Sequence, residues 1–279
     1  MSQFGKGPIL LAGAGRMGGA LLKGWIARGL EPDRVFVQDP SISNEMADYC
    51  RAHKIAIADI QALPEPASVI VLAVKPQMMD SVLPPLSQFA GPDSVVLSVA
   101  AGRTISSIAA HFAPNTAIIR AMPNTPAAIG RGISALYGNE AVTPEQSELC
   151  EALMAAAGET VWLDSEALMD TVTAVSGSGP AYVFLLAEYL AEAGEAAGLP
   201  KELAARLARA TISGAGELLH QSELSPAELR RNVTSPGGTT AAALSVLMAE
   251  GSESAAPSLR DLMTQAVMAA ARRSRELAS

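Results

Sequence analysis

Pro8-Ile-Leu-Leu-Ala-Gly-Ala-Gly-Arg-Met-Gly18 is the stretch that decides the fold of the first half of the chain. The apolar run up to Ala12 has the size of a buried strand. A GxGxxG turn follows, Gly13 to Gly18, and then a helix-like segment to about Arg28, closed by Gly29. A strand that feeds this turn and a helix that leaves it form the context in which the motif binds a dinucleotide. The first glycine makes the turn, the second admits the pyrophosphate, and the third lets helix and strand pack closely. Gly13, Ala14, Gly15, Arg16, Met17 and Gly18 are therefore candidate cofactor contacts. Glycine-rich strand–helix turns also occur without ligands, so the surroundings have to carry the reading.

Downstream, Arg34-Val-Phe-Val-Gln38 reads as the next strand and ends at Asp39-Pro40. Asp39 stands 21 residues after Gly18, where an acidic residue would hold a ribose 2′-hydroxyl. It would then repel a 2′-phosphate and favour NAD over NADP. The other reading is a turn residue before proline. Residues 45–53 look helical, and strands are expected at 68–74, 95–99 and 117–120, with a helix over 104–112. Apolar strands alternating with helices predict a parallel sheet covered on both faces. Ligands of such sheets lie beyond the carboxyl ends of the strands. Asp39, Lys75, Ala100 and the run Met122-Pro-Asn-Thr-Pro126 gather there. Further strands are expected at 133–137 and 159–163, with a helix over 144–157 between them.

The character changes after about Asp164. Strand-like runs stop, and helices are expected over 181–197, from Pro200 to about His220, near 226–231, over 239–250 and over 257–277. The expected division is a dinucleotide-binding domain over 1–163 and an all-helical domain over 164–279. Tyr182-Val-Phe-Leu-Leu186 puts apolar residues on more than one helical face, which suits a subunit interface.

In the helical half, Asn232-Val-Thr-Ser-Pro-Gly-Gly-Thr-Thr240 precedes the apolar run 241–248. Pro236, Gly237 and Gly238 mark a tight turn. The helix that begins there leaves its first N–H groups without intrahelical partners, at the positive end of its dipole. Ser235, Thr239 and Thr240 add neutral donors, and the turn holds no Lys or Arg. Such a site suits a small carboxylate better than a polyphosphate. The plain alternative is a Ser/Thr-capped helix start.

The totals narrow the classes. At 279 residues, two domains are expected. Aromatics are 4% and the formal charge is −8, so nucleic acid is a poor partner. Cys50 and Cys150 form neither metal spacing nor a disulfide framework, and His53, His111 and His220 have no metal-site spacing, so no metal is expected. The N-terminus does not read as a signal peptide, and no apolar run approaches the ~18–20 residues that span a bilayer. A soluble cytoplasmic protein without membrane association is the expectation.

A dinucleotide turn with a hydroxyl-rich carboxylate pocket and no evident acid–base residue fits hydride transfer, with the cofactor carrying the hard chemistry. A carbonyl would need a proton donor as its alkoxide forms. An imine can enter already protonated, so Ser and Thr donors suit C=N reduction better than C=O reduction. A β-hydroxyacid dehydrogenase would need an acid–base lysine on the helix after the junction, and 181–197 contains none. A non-catalytic nucleotide sensor would have little use for a second pocket.

The sequence resembles the pyrroline-5-carboxylate reductase family over nearly its whole length. The resemblance rests on the Gly13–Gly18 turn, Ala73-Val-Lys-Pro76, Ser98-Val-Ala-Ala-Gly102, Arg120-Ala-Met-Pro-Asn-Thr-Pro126, Ser176-Gly-Ser-Gly-Pro-Ala-Tyr182 and Val233-Thr-Ser-Pro-Gly-Gly-Thr-Thr240. It implies an N-terminal Rossmann domain, a helical dimerisation domain, and reduction of 1-pyrroline-5-carboxylate to L-proline with NADPH or NADH. It implies a homodimer that in this family can assemble into decamers. Carried over by position, Ser235, Gly237, Gly238 and Thr239 would hold the substrate carboxylate, with Asn232 at the rim. Thr240 would hydrogen-bond the ring nitrogen. Ala73, Lys75, Pro76 and Ala100 would flank the nicotinamide half. Relatives place a small polar residue or an Arg-containing turn after the second strand for the 2′-phosphate of NADP. Here Ser41 can serve, while Asp39 leaves room for NAD.

Overall fold

Alternate residues of the first strands are buried on opposite faces of one sheet, which is why those runs are apolar throughout. In the computed structural model, which describes residues 4–57, 63, 66–249 and 257–278, Ile9, Leu11, Val35, Val37, Val69 and Val71 lie in one core layer with Leu21, Leu22 and Trp25. Leu10, Ala12, Ile70 and Leu72 lie in the other with Met79, Leu83 and Leu86. Trp25 is fully buried and donates its Nε1–H to the carbonyl of Leu153 at 2.8 Å.

The strands are β1 Ile9–Ala12, β2 Val35–Gln38, β3 Ala56–Ile57, β4 Ala67–Leu72, β5 Ala90–Ser98, β6 Ala117–Met122, β7 Gly132–Gly138 and β8 Gly158–Trp162, in the order β3-β2-β1-β4-β5-β6-β7-β8. Neighbours from β3 to β6 pair in parallel. β7 is antiparallel to β6, and β8 is parallel to β7. The expected parallel sheet thus holds through β6 and reverses for the last two strands. The cause is the connection. After β6 the chain makes only a 3₁₀ turn, Thr125–Ile129, ended by Gly130 at φ +68. That is too short for the crossover that parallel strands need.

The helices α1 Arg16–Ala27, α2 Asn44–His53 and α5 Pro144–Ala155 fall where the sequence places them, and the helix expected over 104–112 is shorter, α4 Ile105–Ala109. α3, Met79–Ser87, does not announce itself, because Pro84 and Pro85 lie inside it. Leu83 and Leu86 nevertheless bury its inner face.

Two compact units result: Met1–Gly177 with Ala270–Ser279, and Ser178–Ala269. Residues 166–177, which follow the break expected at 163/164, pack with the sheet unit. Met169 in α6, Met169–Val172, and Ala174 in the π-helix Thr173–Gly177 are buried. Asp170 accepts from the hydroxyl of Ser274 at 2.6 Å, which ties in the returning C-terminal turns.

The helical unit holds α7 Gly179–Ala196, α8 Lys201–Gln221, α9 Pro226–Asn232, α10 Thr239–Leu247 and most of α11, Leu259–Ala278. α7 is followed by Gly198 at φ +103, which turns the chain toward α8. It approaches α8 through small residues: a Cβ on Gly194 would lie 3.3 Å from that of Ala204. The helix expected over 239–250 ends at Leu247, and residue 250 lies outside the described residues. Among the described residues no helix is long and apolar enough to cross a membrane.

Candidate functional site

The three glycines of the first turn differ in what surrounds them. Gly13 has φ +91, and a Cβ there would come within 2.7 Å of the Ala73 carbonyl oxygen. A Cβ on Gly18 would collide with the carbonyl oxygen of Gly13. Gly15 meets nothing within 4 Å. The outer two glycines are therefore needed for packing, and the middle one leaves open space for a ligand. Gly15 is also the N-cap of α1, with no side chain capping it. Open space beside uncapped amides at a helix N-terminus fits the pyrophosphate of a dinucleotide.

Beside this turn is a cavity of about 410 Å³ that brings together Ala14, Gly15, Arg16, Asp39 and Ser41 from the sequence-based set. Asp39 is turned toward the backbone. Its Oδ2 accepts from the Ala14 N–H at 2.8 Å and its Oδ1 from the Ser41 N–H at 2.9 Å. Lys23, Ser43 and Glu45 also line the cavity, and the sequence reading missed them. Lys23 Nζ lies 2.9 Å from Glu45 Oε1 and 5.6 Å from the centre of the Tyr49 ring. The signal was available: Lys23 follows Arg16 by two helical turns and so shares its face.

The other expected cofactor residues lie outside this cavity. Gly13 and Gly18 support the turn from behind, and Met17 packs on the core. Ala73 donates its N–H to the Ala12 carbonyl at 2.8 Å, which sets it beside Gly18. Lys75 is exposed and heads the short turn Pro76–Met78. Ala100 is buried at the end of β5, its N–H on the Ser98 hydroxyl at 3.3 Å. These four mark the carboxyl ends of β4 and β5.

A partly buried ion pair fixes the same edge further along. Arg120 within β6 donates to Glu166 Oε1 at 2.6 Å, and that oxygen also takes the N–H of Ile105, the first residue of α4, at 2.8 Å. Of the histidines, His53 stacks on Tyr49 with ring centres 4.2 Å apart. His111 lies 3.4 Å from the Asp80 carboxylate, a neighbour that residue spacing along the chain does not reveal. The Arg103 guanidinium, with His111 second, holds the Asp80 carboxyl below its usual range. Among the described residues no three metal-ligating side chains gather.

The second candidate site lies within the helical unit. Thr234 donates its hydroxyl to the Arg230 carbonyl at 2.6 Å, and the Gly238 N–H closes a turn on the Ser235 carbonyl at 3.0 Å. Gly237 takes φ +68, and a Cβ on Gly238 would collide with the Ser235 hydroxyl. Gly238 is the N-cap of α10 and no side chain caps that helix. The plain reading of a Ser/Thr-capped start therefore fails here. It holds elsewhere, where Ser43, Thr104, Thr143 and Ser225 cap α2, α4, α5 and α9. Among the described residues, no hydrogen bond engages the hydroxyls of Ser235, Thr239 or Thr240. Asn232, Ser235, Gly237 and Thr239 are exposed, and Gly238 and Thr240 are half-buried.

Comparison with known proteins places these two sites in a context. Residues 166–277 match the family model described as pyrroline-5-carboxylate reductase dimerisation, and residues 8–102 the one described as NADP oxidoreductase, coenzyme F420-dependent. The pyrroline-5-carboxylate reductase of Pseudomonas aeruginosa is 42% identical over 277 residues, covering 97% of this chain and 96% of that one. That of Synechocystis is 42% identical over 270 residues, covering 96% and 97%. The solved pyrroline-5-carboxylate reductase of Coxiella burnetii superposes with a TM-score of 0.89 at 36% identity, over 99% of this chain and all of the other. Plasmodium falciparum pyrroline carboxylate reductase, solved with NADP bound, gives a TM-score of 0.79 at 28% identity over 98% of each.

Proposed function

The chain belongs to the pyrroline-5-carboxylate reductase family, and from that premise we propose how its own residues divide the work of the reaction. It is an NAD(P)H-dependent oxidoreductase that reduces the C=N bond of 1-pyrroline-5-carboxylate to give L-proline. When bound, the dinucleotide supplies the hydride. The glycine turn and the first amides of α1 hold its pyrophosphate, and Ala73, Lys75, Pro76 and Ala100 border its nicotinamide half.

The substrate carboxylate sits on the uncapped N-terminus of α10. The N–H groups of that first turn and the hydroxyls of Ser235 and Thr239 donate to it. Gly237 and Gly238 keep the approach open, and Asn232 closes the rim. Thr240 hydrogen-bonds the ring nitrogen as it changes from imine to amine. The imine enters protonated, so the nitrogen keeps that proton and no separate general acid is required. The single observation that carries this reading is a hydroxyl-rich helix start that no side chain caps.

We infer NADPH as the reductant, with Ser41 at the ribose end of the cavity, and NADH as the weaker alternative. The enzyme works as a homo-oligomer. Phe184 and Tyr189 on α7 are 67% and 57% exposed in the single chain, an apolar face that suits a partner subunit. The unit is a dimer in this reading, with a decamer as the larger assembly. A cytoplasmic location is in keeping with Cys50 and Cys150, which are buried and unpaired.

The test is to follow NADPH and NADH oxidation separately with pyrroline-5-carboxylate as the only substrate. The expected result is substrate-dependent oxidation with L-proline as product, faster with NADPH at limiting cofactor. No turnover with either cofactor would refute the reading.

A further inference from the structure

We propose that Lys23, which Glu45 holds when no phosphate is present, is the residue by which this enzyme tells NADPH from NADH. The inference rests on the reading of the cavity beside Gly15 as the adenosine end of the cofactor site.

The two cofactors differ only by a phosphate on the adenosine 2′-oxygen. Recognising it calls for a cation within reach that is not already committed to a part common to both. The cavity offers two, Arg16 and Lys23. Arg16 is the first residue of α1, at the glycine turn where the common pyrophosphate belongs. It therefore adds affinity for both cofactors and separates neither. Lys23 is two turns further along the same helix, at the part of the cavity formed with α2.

The other polar groups of the cavity are less able to choose: the Ser41 hydroxyl is a neutral donor that can assist at the 2′-phosphate but brings no charge to it. The Asp39 oxygens each take a backbone N–H, at 2.8 and 2.9 Å, so its position is set by the loops it joins. The Ser43 hydroxyl caps α2, accepting from the Met46 N–H at 3.3 Å. Glu45 is the group that faces Lys23, at 2.9 Å. The side chains of this pair are 44% and 83% exposed, so water screens it and little is lost when it opens. A phosphate monoester carrying about −1.5 to −2 charges at neutral pH outcompetes a single carboxylate for the ammonium. On binding NADPH, Lys23 exchanges Glu45 for the 2′-phosphate. On binding NADH it keeps Glu45. The carboxylate thereby sets the margin between the two cofactors, since it must give up the lysine and lies near the arriving anion.

The experiment is calorimetric titration of the full-length enzyme with adenosine 2′,5′-bisphosphate and with adenosine 5′-monophosphate, which differ only in the group at issue. Lys23→Met is expected to weaken the bisphosphate about tenfold while the monophosphate stays within twofold. Glu45→Gln is expected to tighten the bisphosphate two- to fivefold with the monophosphate again unmoved. Equal losses for both ligands in Lys23→Met, or no gain in Glu45→Gln, would overturn the role of the pair. Wild-type enzyme that bound neither ligand would instead overturn the cavity assignment beneath it. Thermal unfolding of each variant, expected within a few degrees of wild type, separates these outcomes from misfolding.

Discussion

The Asp39 carboxylate accepts the N–H of Ala14 at 2.8 Å and so joins the end of β2 to the glycine turn after β1. Its second oxygen takes the N–H of Ser41 at 2.9 Å, which holds the following loop in the same grip. An aspartate so engaged is a positioning residue first. Asp39→Ala should therefore raise KM for NADPH and for NADH by similar factors, about tenfold for loss of charge-assisted bonds of roughly 1.5 kcal/mol or more. Asp39→Asn, which keeps an acceptor oxygen, should recover part of the loss. If Asp39→Ala instead shifted the NADPH-to-NADH ratio of kcat/KM by more than fivefold, Asp39 would be reading the ribose directly.

Gly15 and Gly18 should fail in different ways. Gly15 has φ −71 and open space where a side chain would go, so Gly15→Ala should fold normally and lose cofactor affinity as the methyl enters the ligand's space. Gly18→Ala drives a methyl into the Gly13 carbonyl, and backbone cannot yield as a flexible side chain can. It should lower the melting temperature as well as cofactor binding. Melting curves with and without NADP⁺ check both, and equal stability of the two variants would count against the packing role of Gly18.

Much of this is legible in the sequence. β1, β2, β4 and β6 are apolar on both faces because helices cover both, and that continuous pattern cannot be hidden by context. The parts that were missed have local causes. α3 carries two prolines, and its helical state is set by burial of Leu83 and Leu86 rather than by propensity. β3 is two residues long, too short for any period. The direction of β7 depends on a turn length, not on its own residues. Residues 166–177 pack with the sheet unit because Glu166 and Asp170 bond to residues distant in sequence. At the candidate site the glycines and hydroxyls were readable because their chemistry is local. The Lys23–Glu45 pair spans two helices, and only the fold brings it together.

Glu166 is expected to matter for stability. Its partner Arg120 has a side chain only 10% exposed, and Glu166 also satisfies the first N–H of α4. Glu166→Ala strands a buried guanidinium and should cost roughly 3 kcal/mol. Urea unfolding gives the value, and a loss below about 1 kcal/mol would mean that water reaches Arg120.

The cysteines should be inert in the folded enzyme. Burial pushes both the Cys50 and the Cys150 thiols up from their ordinary range, and neither is paired. A raised thiol pKa keeps the protonated, unreactive form through pH 8. Alkylation at pH 8 should proceed slowly in buffer and reach both sites in urea. Rapid labelling of native enzyme would show that one of the thiols is reached by local opening.

Thr240→Ala should separate binding from chemistry. The residue lies in the first turn of α10, after Thr239 and the Gly238 cap, and is half-buried beside amides that no side chain caps. If those amides hold the carboxylate, Thr240→Ala leaves that grip in place and removes the hydroxyl oxygen that accepts the N–H of the protonated ring nitrogen and aligns it. The expected loss is about ten- to a few-hundredfold in kcat, matching one aligned hydrogen bond of about 1.5–3 kcal/mol, with substrate KM changed little. Ser235→Ala should do the reverse, raising substrate KM with kcat nearly kept, because in the proposed site its hydroxyl would serve the carboxylate in ground and transition states alike. Binding of NADP⁺ should be the same in both variants. Were Thr240→Ala to raise KM at constant kcat, the hydroxyl would belong to the carboxylate site and the ring nitrogen would need another partner.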